Sequence, residues 1–193
     1  MRGGGHLILG PRSGLKDEFN RLDTIRQPGP LADLLGAQVE QFYALDEPVA
    51  VDGGTASIWA EDLSIKADGA KATLRYGKAN GWLDGHPAAV TRHVGRGTIS
   101  YFGALFDKAV TAKLIDQALT DARVARDFAT PADVELMTRD GRGRHIVILI
   151  NHGRTARHVP LPAAMTDVLN GGTTQAVGLA AEGVAVLQTG GTR

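Results

Sequence analysis

Short apolar runs separated by glycine and proline set the pattern of this chain. The first run, His6-Leu7-Ile8-Leu9, is bounded by glycine on both sides and is too short for a helix, so it predicts a buried strand. Gly10-Pro11-Arg12-Ser13-Gly14 then predicts the end of the strand and a tight polar turn. Pro28-Gly29-Pro30 leads into Leu31–Leu35, where proline at the entry and Gly36 at the exit predict a short amphipathic helix.

The middle of the chain predicts further short strands and one longer helix. Apolar and β-forming residues predict strands at 39–45, 56–60, 63–66 and 72–76, with loops at 46–48 and 52–55. Gly95-Arg96-Gly97 predicts the turn of a hairpin between strands at 87–94 and 98–102. Asp107 is placed to cap a helix whose apolar residues recur at three- and four-residue spacings: Val110, Leu114, Ile115, Ala118 and Leu119.

A composition shift predicts a second domain. It lies at Asp121 to Thr130 and is followed by Pro131, so we place the domain boundary there. Beyond it, four strands are predicted, at 134–138, 145–151, 158–161 and 183–187, with turn residues between them. Short strands at this spacing are typical of a small antiparallel β domain.

Several motifs carry a family resemblance. The strings LILGPRSGLKDEFN and QPGPLADLLGAQVEQFYAL resemble the middle domain of family 42 glycoside hydrolases, the microbial β-galactosidases. The hairpin string GWLDGHPAAVTRHVGRGTISYFGALFD continues this resemblance. Three motifs resemble the family's C-terminal β domain: Ile150-Asn151-His152, Val159-Pro160-Leu161-Pro162 and Asp167-Val168-Leu169-Asn170-Gly171.

The resemblance implies a fold class and a domain plan. We expect an α/β domain with a partial amidotransferase-like or flavodoxin-like layered sheet, followed by a small all-β antiparallel domain. Residues 1–123 would be the C-terminal part of the trimerisation domain, and residues 131–193 the C-terminal β domain. The chain would then begin within the α/β domain. A catalytic (β/α)8 barrel needs about 250 residues, so the resemblance implies that the barrel is absent.

The composition argues against several classes of partner and of catalytic or metal site. The formal net charge of +0 gives no electrostatic reason to expect nucleic acid or an anionic membrane as a partner. Cysteine is absent, which excludes disulfides, thiolate zinc sites and the cysteine nucleophile of amidotransferases. No apolar run approaches the length of a membrane helix, and we expect a cytoplasmic protein without a cofactor.

The carboxylates do not predict a catalytic pair. Retaining glycosidases need two carboxyl groups about 5 Å apart, and the resemblance places both glutamates in the barrel, so no catalytic residue is carried over. Asp17 and Glu18 are adjacent and point in different directions, and Asp84 lies near Trp82. The favoured interpretation of the first two is an ion-pair and turn-capping cluster, and the alternative is an intersubunit contact. That cluster comprises Arg12, Lys16, Asp17, Glu18 and Arg21.

The sequence does not favour three other kinds of site. The Gly10–Gly14 turn lacks phosphate-loop spacing and loses an amide at Pro11, and no nucleophile elbow surrounds Ser13. The histidines show no metal-ligand spacing, so we predict no metal site; they are His6, His86, His93, His145, His152 and His158. A sugar-stacking face could form from Trp59, Trp82 and Tyr101, although partly buried core aromatics are the favoured interpretation.

The predicted function follows from the resemblance. We expect a non-catalytic C-terminal portion of a β-galactosidase that serves homotrimer assembly and scaffolding and is inactive alone. Its partners would be copies of itself or a separately encoded barrel subunit, and it would meet a galactoside only through the parent enzyme. The alternative is a free-standing carbohydrate-binding or assembly module without hydrolase activity.

Overall fold

The chain divides into two compact units. The computed structural model describes residues 2–78, 80–124 and 128–189. The first unit is Met1–Ala125 and the second is Arg126–Arg193. The assignment of residues 1–123 and 131–193 to two family domains stays a prediction.

The first unit contains two sheets and two α-helices among its described residues. One sheet has the order β1-β6-β5-β4 and the other the order β2-β3-β7. The helices lie before β2 and after β7. In chain order the elements are β1 (His6–Leu9), α1 (Ala32–Leu35), β2 (Ala37–Val51), β3 (Gly54–Ile65), β4 (Ala70–Arg75), β5 (Pro87–Val94), β6 (Gly97–Phe102), β7 (Ala104–Phe106) and α2 (Lys108–Asp121).

The α/β layering expected for this unit is present only in part. Among the described residues, the pairing of β1 with β6 is the one parallel contact, and every other strand pair is antiparallel. Helix α2 lies against the four-stranded sheet, because its Leu114 and Ala118 line a small cavity together with sheet residues such as Thr91. Strands are the predominant element of this unit, because its two α-helices have only 4 and 14 residues.

The first strand and the helix that follows form as predicted, with one correction. β1 covers His6–Leu9, and α1 ends at Gly36, whose left-handed φ of 70° suits a residue without a Cβ. The strand was expected to be buried, but it is the edge strand of its sheet and Ile8 is 37% exposed. The expectation was wrong because a run of apolar residues does not tell a central strand from an edge strand.

A long two-stranded ribbon replaces several predicted short strands. β2 and β3 are continuous antiparallel partners, so the predicted loop at 46–48 and the break between 60 and 63 were wrong. The register shifts between Leu45 and Val49, where residues 46–48 form an irregularity. Pro48 is tolerated there because β2 is the edge of its sheet and need not donate a ladder hydrogen bond at that position.

The hairpin and the cap of the long helix are confirmed. β5 and β6 pair in register from Val94 and Gly97 outward. Asp107 is the N-cap of α2, and its Oδ1 accepts a hydrogen bond from the Val110 amide at 2.9 Å. Both features rest on local signals, a glycine turn and a capping carboxylate three residues before the first apolar helix position that packs inward.

Two apolar clusters form the core of the first unit. One lies between β1, α1, β5, β6 and the start of β2, and it includes Leu35, Val90, Ile99 and Tyr101. The other lies beneath α2 and the ribbon, and it includes Ala60, Tyr76, Leu83 and Val110. The ribbon contributes to both clusters, so its conformation depends on packing from each side.

The second unit is an antiparallel sheet. Its order is β11-β10-β12-β9-β8. The predicted strands at 134–138, 145–151, 158–161 and 183–187 are all present with longer bounds, but β11 was missed because Thr173–Leu179 lacks a clear apolar alternation. The strands are β8 (Val134–Gly141), β9 (Arg144–Asn151), β10 (Arg157–Asp167), β11 (Thr173–Leu179) and β12 (Val184–Thr189).

A buried asparagine anchors one end of this sheet. Asn151 is fully buried, and its Nδ2 donates to the carbonyls of Thr155 and Ala180 at 2.8 and 2.7 Å. Its Oδ1 accepts from the Gly153 amide at 2.9 Å. A buried amide is stable only when its donors and acceptor are paired, so this residue fixes the loop after β9 against the loop after β11.

Candidate functional site

The Gly10–Gly14 turn lies against a buried carboxylate. Arg12 and Gly14 both have left-handed φ values, 66° and 69°. The Arg12 amide donates to Glu61 Oε1 at 2.9 Å, and the Ser13 amide lies 3.3 Å from the Gly10 carbonyl. These two amides of the turn therefore have acceptors within the protein, which leaves neither directed towards a phosphate.

Glu61 is the centre of a buried hydrogen-bond network. Its side chain is fully buried on β3, and it accepts hydrogen bonds from Trp59 Nε1 at 3.0 Å and from the Tyr101 hydroxyl at 2.6 Å in addition to the Arg12 amide. The Tyr76 hydroxyl donates to the Glu61 carbonyl at 2.9 Å. A buried carboxylate with three donors is a structural junction rather than an available acid or base.

The pKa values of two tyrosines in this network are raised. Burial is the main cause that raises the pKa of Tyr101, and the neighbouring Glu61 carboxylate raises it further. Burial also raises the pKa of Tyr76. Both hydroxyls therefore remain protonated as donors at neutral pH, when tyrosine is protonated even in water.

The predicted sugar-stacking face is not a single surface. Trp59 and Tyr101 do come together, but through Glu61, and Tyr101 is fully buried. Trp59 stacks on Phe42 with ring centroids 5.0 Å apart, and the Arg12 guanidinium carbon lies 5.3 Å from the Trp59 ring centroid. Trp82 stands apart and is 70% exposed.

Trp82 belongs to a second cluster, in which Trp82 and His86 are exposed and Tyr43 and Asp62 are half-buried. Its ring centroid lies 5.7 Å from that of Tyr43. Asp62 Oδ1 lies 2.7 Å from His86 Nδ1, and burial together with the charge of Asp62 raises the pKa of Tyr43. Tyr43, Asp62, Trp82 and His86 thus form an aromatic pair beside a carboxylate–imidazole pair, which sequence spacing alone did not indicate.

The turn that carries Trp82 is held rigidly. Asn80 Nδ2 donates to the carbonyls of Ala50 and Gly77, each at 3.0 Å, and the Asn80 amide donates to Asp84 Oδ1 at 2.6 Å. Leu83 is buried in the core next to the exposed tryptophan. The exposure of Trp82 is therefore enforced by its neighbours along the chain.

The predicted charge cluster is confirmed for two of its five residues, Asp17 and Arg21. Asp17 Oδ1 accepts from the amides of Phe19 and Arg21 at 2.9 Å each, and Asp17 lies 2.8 Å from the Arg21 guanidinium. The Arg21 amide and then its side chain lower the pKa of Asp17. Lys16 Nζ donates to Asn20 at 2.7 Å. Arg12 is not a member, since its guanidinium lies over Trp59, and no bond involving Glu18 is found among the described residues.

The segment Phe19–Ile25, which overlaps the end of this cluster, exposes large apolar side chains that the sequence pattern did not indicate. Phe19, Leu22 and Ile25 are all exposed. The segment is joined to β2, because Arg26 Nη1 donates to the Glu40 carbonyl at 2.8 Å and lies 3.1 Å from Glu40 Oε2. Hydrogen bonds from Lys66, Ser64 and Gln38 lower the pKa of Glu40 to about 2.

The other candidate residues lie apart from one another. Within residues 2–78, 80–124 and 128–189, no group of three or more histidine, aspartate or glutamate side chains could hold a metal ion. Three histidines each lie 2.7 Å from one carboxylate: His86 beside Asp62, His145 beside Asp140 and His152 beside Glu135. No helix in the described part of the chain is long and apolar enough to span a membrane.

Comparisons with known proteins identify relatives for the whole chain. Residues 1–125 match the family described as "Beta-galactosidase trimerisation domain". The chain is 34% identical over 159 residues to "Beta-galactosidase Bga" of Halorubrum lacusprofundi, covering 74% of this chain and 22% of that protein. It is 34% identical over 200 residues to "Beta-galactosidase BglY" of Alicyclobacillus acidocaldarius, covering 96% of this chain and 29% of that protein.

Solved structures have the same fold. The β-galactosidase from Bacillus circulans sp. alkalophilus superposes with a TM-score of 0.82 at 21% identity, covering 97% of this chain and 29% of that chain. The β-galactosidase of Halorubrum lacusprofundi superposes with a TM-score of 0.75 at 29% identity, covering 98% of this chain and 28% of that chain. The chain thus spans less than a third of the length of these relatives.

Proposed function

The chain belongs to the β-galactosidase trimerisation domain family of glycoside hydrolase family 42, and from this membership we propose that it assembles copies of itself into a homotrimer. The observation that carries the proposal is the match of residues 1–125 to that family. In this role the first unit supplies contact surfaces and the second unit supports the scaffold.

The surface of the first unit is consistent with assembly. Large apolar side chains are exposed on the segment Phe19–Ile25, on both faces of the ribbon and on the turn before β5: Phe19, Leu22, Ile25, Phe42, Ile58 and Trp82. Contact with another chain would remove this apolar surface from water, which favours association. Their exposure on a unit related to trimerisation domains supports a role in binding another protein chain.

We also propose that galactoside hydrolysis belongs to a barrel outside this chain. Glycoside hydrolysis needs two carboxyl groups that flank the scissile bond. Glu61, the one fully buried glutamate among the described residues, already accepts three hydrogen bonds within the protein. The chain alone should therefore not hydrolyse a chromogenic β-galactoside, and turnover at enzymatic rates would overturn this part of the proposal.

The assembly proposal is tested by the mass of the purified 193-residue chain in solution. Sedimentation equilibrium and light scattering after size exclusion should give three times the monomer mass of 20.3 kDa at micromolar concentration. A monomer over the whole accessible concentration range would overturn the proposal. A stable dimer would overturn the trimer while leaving self-assembly in place.

Carbohydrate binding is a second candidate, favoured by one observation. Trp82 is 70% exposed and lies beside Tyr43 and the Asp62–His86 pair. Pyranose rings pack on aromatic faces, and carboxylates accept hydrogen bonds from sugar hydroxyls. Titration of the chain with galactose should quench or shift the tryptophan fluorescence if this candidate is correct, and Trp82→Ala should abolish the change. Tryptophan fluorescence that does not change on addition of galactose would contradict carbohydrate binding at this cluster.

A further inference from the structure

The symmetry of a trimer sets a requirement on its contact surfaces. A ring of three identical chains is closed by heterologous contacts, in which one patch of each chain meets a different patch of the next. If the proposed trimer forms, each chain must therefore carry two distinct patches. On the premise of the proposed function, two surfaces of the β2–β3 ribbon meet this requirement.

The ribbon presents different residues on its two faces. Between Gln41 and Leu45 the pairing with β3 is unbroken, with Phe42 opposite Glu61 and Tyr43 opposite Ala60. Successive side chains of a strand point to opposite faces, and directly paired residues share a face. Phe42 and Tyr43 therefore point to opposite sides of the ribbon. β2 is the edge of its sheet, so among the described residues no further strand lies along its outer side.

The first ribbon face consists of Phe42, Trp59 and Arg12. Phe42 is 45% exposed and stacks on Trp59 with an angle of 16° between the rings. The exposed Arg12 side chain lies over the Trp59 ring. Among residues 2–78, 80–124 and 128–189, no carboxylate is found in an ion pair with this guanidinium. The bond from Trp59 to the buried Glu61 fixes the stack in place.

The second ribbon face consists of Tyr43, Trp82, Asp62 and His86. Its aromatic pair is held by the rigid turn that exposes Trp82, and its carboxylate belongs to the strand that pairs with the strand of Tyr43. The two faces thus differ in charge as well as in shape. The first ends in the Arg12 cation, and the second carries the Asp62 carboxylate beside His86.

We propose that copies of this chain meet through these two faces, the first ribbon face of one copy packing on the second ribbon face of the next. Tryptophan, tyrosine and arginine are the residues that most often dominate binding at protein interfaces, and each face presents a preformed pair of them. Arg12 of one copy would lie near Asp62 of the next, which favours this pairing over the contact of either face with itself. A contact that joins unlike faces can continue around a ring of three.

The experiment uses one variant for each face in the full chain. Phe42→Ala with Arg12→Gln removes the first face, and Trp82→Ala removes the second. Each is expected to weaken trimer formation about tenfold or more, because truncating a central aromatic anchor commonly has such an effect. Leu169→Ala, at an exposed apolar position of the second unit, is the matched control and should leave the trimer unchanged. Circular dichroism and melting curves confirm that each variant is folded.

Mixing the two variants tests whether the faces are complementary. Each variant keeps the face that the other lacks, so an equimolar mixture should form a dimer with one contact, and neither variant alone should do so. A mixture of folded variants that stays monomeric, or variants that trimerise as tightly as the wild type, would overturn this inference while the trimer itself stands. A wild-type chain that never trimerises would instead overturn the proposed function and, with it, the premise of the inference.

Discussion

The hydroxyl oxygen of Tyr101 lies 2.6 Å from Glu61 Oε2, and both side chains are fully buried. The two residues are 40 positions apart and come from different sheets, β3 and β6. Their hydrogen bond therefore joins the ribbon to the four-stranded sheet. Because Arg12 also bonds to Glu61, this carboxylate links three separate segments of the first unit.

Removing the Tyr101 hydroxyl should destabilise the first unit. Tyr101→Phe leaves a buried carboxylate oxygen without its donor, and we expect the free energy of unfolding to fall by about 1–3 kcal/mol. Urea denaturation at pH 7 measures the loss. The double variant with Glu61→Gln should lose less than the sum of the two single losses, since both changes remove the same bond. Additive losses would show that the two side chains do not interact in this way.

Alkaline pH should weaken the fold through the same network. The pKa values of Tyr101 and Tyr76 are raised in the folded chain, so the unfolded chain releases these protons first. The stability that the buried hydroxyls provide is complete below pH about 10, the unfolded value, and it is lost as the pH rises above that. Each tyrosine adds a slope of up to about 1.4 kcal/mol per pH unit.

The comparison of Tyr101→Phe with the wild type isolates this effect. Urea midpoints measured from pH 9 to 11 should fall less steeply for the variant, because it has one fewer buried hydroxyl to ionise on unfolding. Lysine deprotonation changes both proteins alike and cancels in the difference. Parallel curves for the two proteins would contradict the assignment.

Gly14 should not tolerate a side chain, whereas Gly10 in the same turn should. Gly14 has a φ of 69°, and a Cβ there would lie 2.5 Å from the backbone carbon of Pro28. Gly10 has no heavy atom within 4 Å of such a Cβ. The left-handed backbone alone costs an alanine about 1–2 kcal/mol, and the contact adds to it. Gly14→Ala should therefore melt well below Gly10→Ala, and equal melting temperatures would contradict this account.

Turn and capping residues correctly predicted the hairpin turn and the helix ends that they form. The turn at Gly95–Gly97, the cap at Asp107 and the end of α1 at Gly36 each depend on a few adjacent residues, and each was correct. The ribbon was predicted as several short strands, because Asp46-Glu47-Pro48 has the composition of a loop. In the structure these residues form an irregularity within an edge strand.

The candidate site could not be predicted in the same way. Glu61 bonds to Arg12 and Tyr101, which are 49 and 40 residues away in the chain, and no spacing rule connects such positions. The sequence did not indicate that Trp82 is exposed either, since a tryptophan beside leucine is typical of a core. It is exposed because Leu83 takes the buried position and Asn80 fixes the turn. Residue types suggested aromatic chemistry, but tertiary contacts decide which rings are accessible.

The outer edge of β1 should promote association that is separate from the trimer. β1 is the edge strand of its sheet, and Ile8 and His6 line an apolar groove with Ile115 and Leu119 of α2. An exposed strand edge beside apolar side chains can pair with another chain, and a lysine on the edge opposes such pairing. Ile8→Lys should therefore reduce species larger than a trimer in light scattering at micromolar concentration and leave the trimer itself intact, because Ile8 lies on neither ribbon face.

Leu169→Lys, which adds the same charge at an exposed position of the second unit, controls for general solubility. If both lysine variants reduce the large species equally, net charge rather than the β1 edge is responsible, and the edge has no special role in association.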